Sequence, residues 1–534
     1  MTDSTDPSKA PADKKPSPGT ASSSSDQPLD PPAKMMGMIR FIGPGLIVAG
    51  SIVGSGELIA TTKTGAEAGF ALLWLIVIGC VVKVFAQIEL GRYALISGKT
   101  TLKALDEVPG PRIKGRGNWL VWYWLVMWLA SISQLGGIVG GVGQALAISA
   151  PITQMGSDYN EAADAAQMRK YQEYRATKPD GEEPTIDVEA AWQKYSMAHG
   201  NDGLGKPNSP RDAVIWASIM AVATSIILLV GRYGLIQSLS TVLVASFTAL
   251  TVLNLFLLQG QPDWRVNLAE FWSGLSLSLP SGTKEVNPIG TALATFGIIG
   301  VGAAELVVYP YWCLEKGYAR FTGKNDGSEA WQKRASGWMR VMRFDAWGAM
   351  IVYTFATVAF YLLGAAVLHR VGLNPEKGDM VRTLAVMFRP VFSNWAAAVF
   401  LFGAFAVLYS TFFVANASHA RTFSDAMRVI GLIKEDEETR AKWIRILSGV
   451  FPILCLVIFI AFPQPTRLVL WSGVAQGVML PMLAAAALYF RYQRCLPALR
   501  PGKIWDVMLW LSAFAMLVTG AWTVIDKIQS YIGQ

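Results

Sequence analysis

Long apolar stretches recur eleven times along this chain, each sufficient to cross a bilayer, and that property restricts the fold more than any other. A helix of about 20 apolar residues spans the roughly 30 Å of bilayer hydrocarbon. No water reaches backbone amides there, so each stretch must satisfy its own hydrogen bonds as a helix. The stretches run over residues 39–69, 71–97, 118–149, 212–231, 235–259, 288–314, 345–369, 393–418, 443–462, 466–491 and 504–526. Composition agrees, with 52% hydrophobic and 16% charged residues, where soluble domains carry about 25% charged. An all-α, polytopic membrane protein with 11 transmembrane helices is expected.

The connecting loops orient it. Lys99, Lys103, Arg112, Lys114 and Arg116 follow the second stretch, Lys316, Arg320, Lys324, Lys333 and Arg334 the sixth, Arg421, Arg428, Lys434 and Arg440 the eighth, and Arg491, Arg494, Arg500 and Lys503 the tenth. Positive loops stay in the cytoplasm, which places the N-terminus inside and the C-terminus outside a bacterial inner membrane. These loops also explain the net charge of +8 without a nucleic-acid partner. Residues 1–34, rich in Ser, Pro and Asp, read as a disordered tail. Residues 150–211 read as an acidic extracytoplasmic insertion, with a short surface helix over Tyr159–Tyr174. As a solvated loop it needs no role in transport; its acids would otherwise gather cations. Cys80, Cys313, Cys455 and Cys495 suggest neither a disulfide framework nor a zinc site.

A motif then repeats. Val53-Gly54-Ser55-Gly56-Glu57-Leu58-Ile59 in the first stretch returns as Val301-Gly302-Ala303-Ala304-Glu305-Leu306-Val307 in the sixth. Two five-helix halves are implied, residues 35–259 and 260–491, with 492–534 adding an eleventh helix and the C-terminus. Five is odd, so the second half crosses the bilayer in the opposite sense, the inverted-repeat plan of many secondary transporters. Glycines weaken the helix at each motif, and the released backbone groups must line a cavity or find partners. A carboxylate at helix depth costs about 2.5–3.5 kcal/mol to insert. Placing one at each symmetric position marks Glu57 and Glu305 as candidate cation ligands, expected to converge. Alternatively the glycines serve close packing and each Glu pairs with a buried base such as Lys63 or Lys83.

Other polar residues at membrane depth are Lys83, Glu89, Gln134, Asn254, Asp345, Tyr409, Ser410, Thr411 and Asn416, each either pathway lining or interhelical glue. Glu89 is read as a structural partner of Arg92. His199, His369 and His419 fall in the outer loop, at a span end and near the inner interface, so histidine chemistry is not expected at the site. No nucleotide-binding loop is present and no catalytic triad can be assembled, so neither an enzyme nor a cofactor is expected.

These residues resemble the Nramp family of proton-coupled divalent-metal transporters, which share the LeuT-type 5+5 inverted repeat with broken first and sixth helices. The resemblance covers Gly43-Pro44-Gly45, Ala71-Leu72-Leu73-Trp74, Gln87, Arg92, Gly98-Lys99, Gln261-Pro262-Asp263-Trp264 and Leu480-Pro481. Where the family has Asp-Pro-Gly-Asn, this chain has Gly54-Ser55-Gly56-Glu57, and where it has Met-Pro-His-Asn, Gly302-Ala303-Ala304-Glu305. By position the resemblance implies Glu57 and Glu305 as metal ligands, Gly54 and Gly302 as positions without side-chain ligands, and Ser51 and Ile299 as backbone-carbonyl ligands. Third-span acids of the family's proton route correspond to Gln134 and Gly137, and its tenth-span glutamine to Gly473. Losing the thioether favours Mg²⁺, Ca²⁺ or Mn²⁺ over softer cations. The expected partners are the bilayer, a divalent cation and a coupling ion, H⁺ or Na⁺. Transport of an organic amine or amino acid, or a non-transporting sensor role, are the competing readings.

Overall fold

A computed structural model describes residues 28–113, 116–179, 181–199, 210–230, 233–282 and 286–532. Eleven helices among them are long and apolar enough to span a membrane: Pro44–Ala68, Leu73–Ser97, Trp119–Ser149, Asp212–Val230, Thr241–Leu258, Pro288–Lys316, Glu329–His369, Met380–Val429, Glu437–Ala461, Pro465–Arg494 and Lys503–Ser530. They are called here the first to eleventh spans. Every expected stretch coincides with one of them. The seventh begins well before residue 345 because Ser328 caps it, its hydroxyl accepting from Trp331 N at 3.1 Å. Asp436 likewise caps the ninth, accepting from Thr439 N at 2.6 Å. Capped helix running out through Lys333, Arg334 and Arg340 is too polar for a hydropathy window to register.

The hydrophobic windows of the first and sixth spans are 94% and 89% buried, whereas those of the fourth, fifth, ninth and eleventh are 28%, 24%, 33% and 33% buried. The glycine-interrupted helices therefore form the centre, where backbone released from helical pairing meets protein. The less buried spans form the outside with apolar side chains such as Ile226, Phe256, Val457 and Phe514 exposed on them, as expected of surfaces facing lipid. This is the LeuT-like arrangement, with broken first and sixth helices.

Two expectations at the ends of the membrane domain need correction. Residues 1–27 of the expected tail lie outside the described residues, but 28–34 lie against the membrane domain while largely exposed. Leu29 N donates to Phe321 O at 2.9 Å, and Leu29 O accepts from Trp338 Nε1 at 2.7 Å. Proline fixes its own backbone angle, and the Pro31 ring lies against Gly337, so a segment that composition marks as disordered loses little entropy on docking. In the insertion between the third and fourth spans, helix occupies Gln154–Ala176 and Val188–His199, more than the surface helix expected. Tyr159 meets Trp192 and Tyr195 edge-on at 5.6 and 5.7 Å, and Tyr171 stacks on Trp264 at 5.4 Å. Arg382, at the start of the eighth span, ion-pairs with Asp164 and donates to Asn160 Oδ1 at 2.6 Å. The insertion is docked on the membrane domain rather than only solvated.

Asp345, a pathway candidate from sequence, ties the seventh span to the start of the first. It accepts from Gly43 N at 2.8 Å, Gly45 N at 2.6 Å and Tyr309 OH at 3.3 Å. Its charge sits at a helix N-terminus, where the exposed amides attract an anion. Asp345→Ala leaves two buried amides unsatisfied and is expected to cost about 3 kcal/mol. A fall in the melting temperature of the detergent-purified protein checks this, with Asp345→Asn falling less because one acceptor survives.

Candidate functional site

Each break is built from glycine. The first span runs as helix over Pro44–Ile52, opens at Val53 and Gly54, and resumes as a wider five-residue-spaced turn over Ser55–Thr61, a form frequent at functional sites. The sixth runs over Pro288–Ile298, opens, and resumes over Ala303–Lys316. Gly300 holds a φ of +55°, which side-chain-bearing residues rarely adopt, and a Cβ there would lie 2.8 Å from Cys80 Cα. A Cβ on Gly56 would come within 3.0 Å of Ile298 O, so the two breaks touch.

The two glutamates stand in the first turn after each break. Glu305 Oε1 accepts from Ser51 Oγ at 3.1 Å. With Ser51, Ser131, Gln134, Thr411, Ala415, His419 and Gln476 it lines a cavity of about 10 Å³, room for about one water-sized particle. Glu57 is fully buried. Its Oε1 accepts from Thr357 Oγ1 at 3.1 Å, and its Oε2 has no partner among the described residues. The two carboxylates lie within electrostatic reach of each other but take different partners. Glu57 turns toward the seventh span and the Gly300 amide, Glu305 toward the third, eighth and tenth spans, and the Glu305 cavity is not lined by Glu57. Both acids stand at equivalent places along their helices, with different neighbours around each.

Neither glutamate forms an ion pair among the described residues. Lys63 instead binds Glu67 and Glu376, each at 2.7 Å. The Lys83 ammonium donates to Phe296 O and Ile299 O, both at 2.6 Å, and lies 4.8 Å from the Phe296 ring centroid. The Ile299 carbonyl, expected as a metal ligand, is thus already taken by a resident cation. A half-helix C-terminus concentrates negative partial charge, and a lysine satisfies it as a metal ion would. Ser51 lines the cavity, and its hydroxyl donates to Glu305. Gly54 leaves room for Thr411, whose hydroxyl donates to Gly50 O at 3.1 Å. Gly302 leaves room for the Glu305 carboxylate and Gln476.

Ser131, Gln476 and the cavity position of His419 escaped the sequence reading. The tenth-span glutamine position holds Gly473, but Gln476 stands nearly one turn further along the same helix. It accepts from Ala304 N at 3.0 Å and donates to Gln134 Oε1 at 2.7 Å. Gln134 in turn donates to Ser55 Oγ at 2.7 Å. His419, placed near the inner interface from sequence, lines the Glu305 cavity, and its Nδ1 accepts from Trp128 Nε1 at 2.6 Å. The four-residue spacing of Thr411, Ala415 and His419 marks one helical face and was the available signal. His369 and His199 lie elsewhere, beside Ala66 O and Asp158 respectively. Asn254 and Asn416 donate to the Met387 and Phe412 carbonyls, and Glu89 pairs with Arg92 at 3.1 Å, all as structural contacts.

Comparison with known proteins agrees with this architecture. No curated protein matches the sequence. Two crystal structures of variants of the Eremococcus coleocola manganese transporter share the fold, one with a TM-score of 0.57 at 14% identity and the other 0.58 at 13%. Each alignment covers 95% of this chain and 91% of that one. The family model described as natural resistance-associated macrophage protein-like, Nramp, matches residues 206–526. That match runs from the end of the insertion to the eleventh span and includes the second broken helix, and on it this chain belongs to the Nramp family.

Proposed function

We propose that this protein is a secondary-active transporter of a divalent metal cation, working by alternating access, and that Glu305 is the primary ligand. The observation that carries this reading is the cavity beside Glu305. It is narrow, about 10 Å³ in volume, and its lining includes one carboxylate with hydroxyl and amide groups. A bare ion fits such a volume, and the organic amine or amino acid of the competing reading does not. Family membership and the manganese transported by the structural relatives support the same class of cargo.

In this mechanism Glu305 and the Ser51 and Thr411 hydroxyls replace part of the ion's water shell. Oxygen donors of this kind suit Mg²⁺, Ca²⁺ or Mn²⁺. Glu57 supplies the second carboxylate when the helices around the breaks rearrange, its unpartnered Oε2 being the atom available to an ion. Gly54, Gly56, Gly300 and Gly302 allow the breaks to hinge. Gln134 and Gly137 leave no carboxyl on the cavity face of the third span, so coupling to H⁺ or Na⁺ runs through other groups. The positive loops support a cytoplasmic N-terminus in a bacterial inner membrane.

Reconstituted protein is expected to carry Mn²⁺, Mg²⁺ or Ca²⁺ into liposomes. Glu305→Gln is expected to reduce uptake at least tenfold, since one carboxylate ligand is worth about 1.4 kcal/mol or more, and Glu57→Gln to reduce it less. Wild-type uptake left intact by Glu305→Gln would reject the assignment. Lys83→Met removes two charge-assisted hydrogen bonds, worth about 1.5–3 kcal/mol each. A melting temperature lowered by more than that of Glu57→Gln checks that Lys83 holds the second break together.

A further inference from the structure

We infer that Trp128 sets the cation preference of the Glu305 cavity by occupying the Nδ1 lone pair of His419. This inference rests on the cation-binding reading above and deepens it.

An indole N–H only donates. At 2.6 Å from Trp128 Nε1, His419 Nδ1 is therefore the acceptor. A neutral imidazole with Nδ1 accepting carries its proton on Nε2. One ring nitrogen has its lone pair engaged and the other carries hydrogen, so the imidazole offers the cavity no electron pair. What remains facing the ion is oxygen: the Glu305 carboxylate, the Ser51, Ser131 and Thr411 hydroxyls, and the Gln134 and Gln476 amides.

The indole is held in place. Trp128 is 5% exposed, with ring centroids 4.4 Å from Phe423 and 5.3 Å from Phe451. A second small cavity, lined by Trp124, Trp128, Val307, Val308, Thr422 and Met479 among others, shares Ser131, Ala304 and His419 with the first. His419 thus stands where the two cavities meet, on whatever route an ion takes between them. An imidazole with a lone pair at that point would strengthen binding of Co²⁺, Ni²⁺ and Zn²⁺ relative to Mg²⁺ and Mn²⁺. Trp128 is a positioning residue that withholds it.

The test uses full-length protein in detergent, with Zn²⁺, Co²⁺ and Mg²⁺ as probes in competition binding. Trp128→Phe keeps an aromatic ring against Phe423 and Phe451 while releasing His419 Nδ1. It is expected to raise the Zn²⁺-to-Mg²⁺ affinity ratio on the order of tenfold or more, and to shift the visible absorption of bound Co²⁺ as a nitrogen ligand enters. His419→Leu alone is expected to leave the wild-type ratio unchanged, and Trp128→Phe with His419→Leu to abolish the gain. An unchanged ratio in folded Trp128→Phe, a gain that survives loss of His419, or a fall in Zn²⁺ affinity in His419→Leu alone would each overturn the inference. The last arm decides the matter even if Trp128→Phe does not fold. Failure of the transport reading is separate: wild-type protein would bind none of the three cations, and the inference would fall with it.

Discussion

A helix that stops inside a bilayer exposes carbonyls and amides that water cannot satisfy, and in this protein the Lys83 ammonium takes two of those carbonyls. It binds Phe296 O and Ile299 O, at the end of the first half of the sixth span, where the aligned peptide dipoles concentrate negative charge. Around that contact the second break is assembled: Gly300 turns through a left-handed backbone conformation against Cys80, and Ile298 O meets Gly56 of the first break. The open backbone of the two spans is thereby tied to the second span, a tolerable arrangement at membrane depth only because protein groups replace water.

With a resident ammonium at the carbonyl end of the sixth-span break, the carboxylates occupy the amide ends. Glu57 and Glu305 each lie in the first turn of a resumed helix, where exposed amides stabilise an anion. Their equivalence ends there. Glu57 is packed against Thr357 with one oxygen unpartnered, and Glu305 opens onto a polar cavity. Repeat symmetry copies the backbone, but the third, eighth and tenth spans surround one acid and the seventh span the other. The resulting asymmetry leaves one carboxylate facing a polar cavity and the other packed against the seventh span.

The same logic of substituted partners accounts for residues that looked alike in sequence. Asp345, Lys83 and Glu305 are all ionisable residues in apolar stretches, yet one caps a helix, one fills a carbonyl pair and one faces a cavity. Hydropathy and residue type register that each must have a partner. They do not register which, because the partner lies on a span distant in sequence: Asp345 meets Gly43 and Gly45, and Lys83 meets Phe296 and Ile299.

What the chain determined by itself was whatever depends on local pattern. Eleven spans follow from apolar length, and the broken pair from glycines beside a repeated glutamate. Which lone pairs and carboxylate oxygens face the cavity was decided only by tertiary packing. The Ile299 carbonyl is lost to Lys83, the His419 Nδ1 to Trp128, and Gln476 stands in for a glutamine that Gly473 cannot supply. A ligand set is a property of groups brought together from five or more helices, and the rotation of each helix about its axis is set by packing against neighbours that no local window contains.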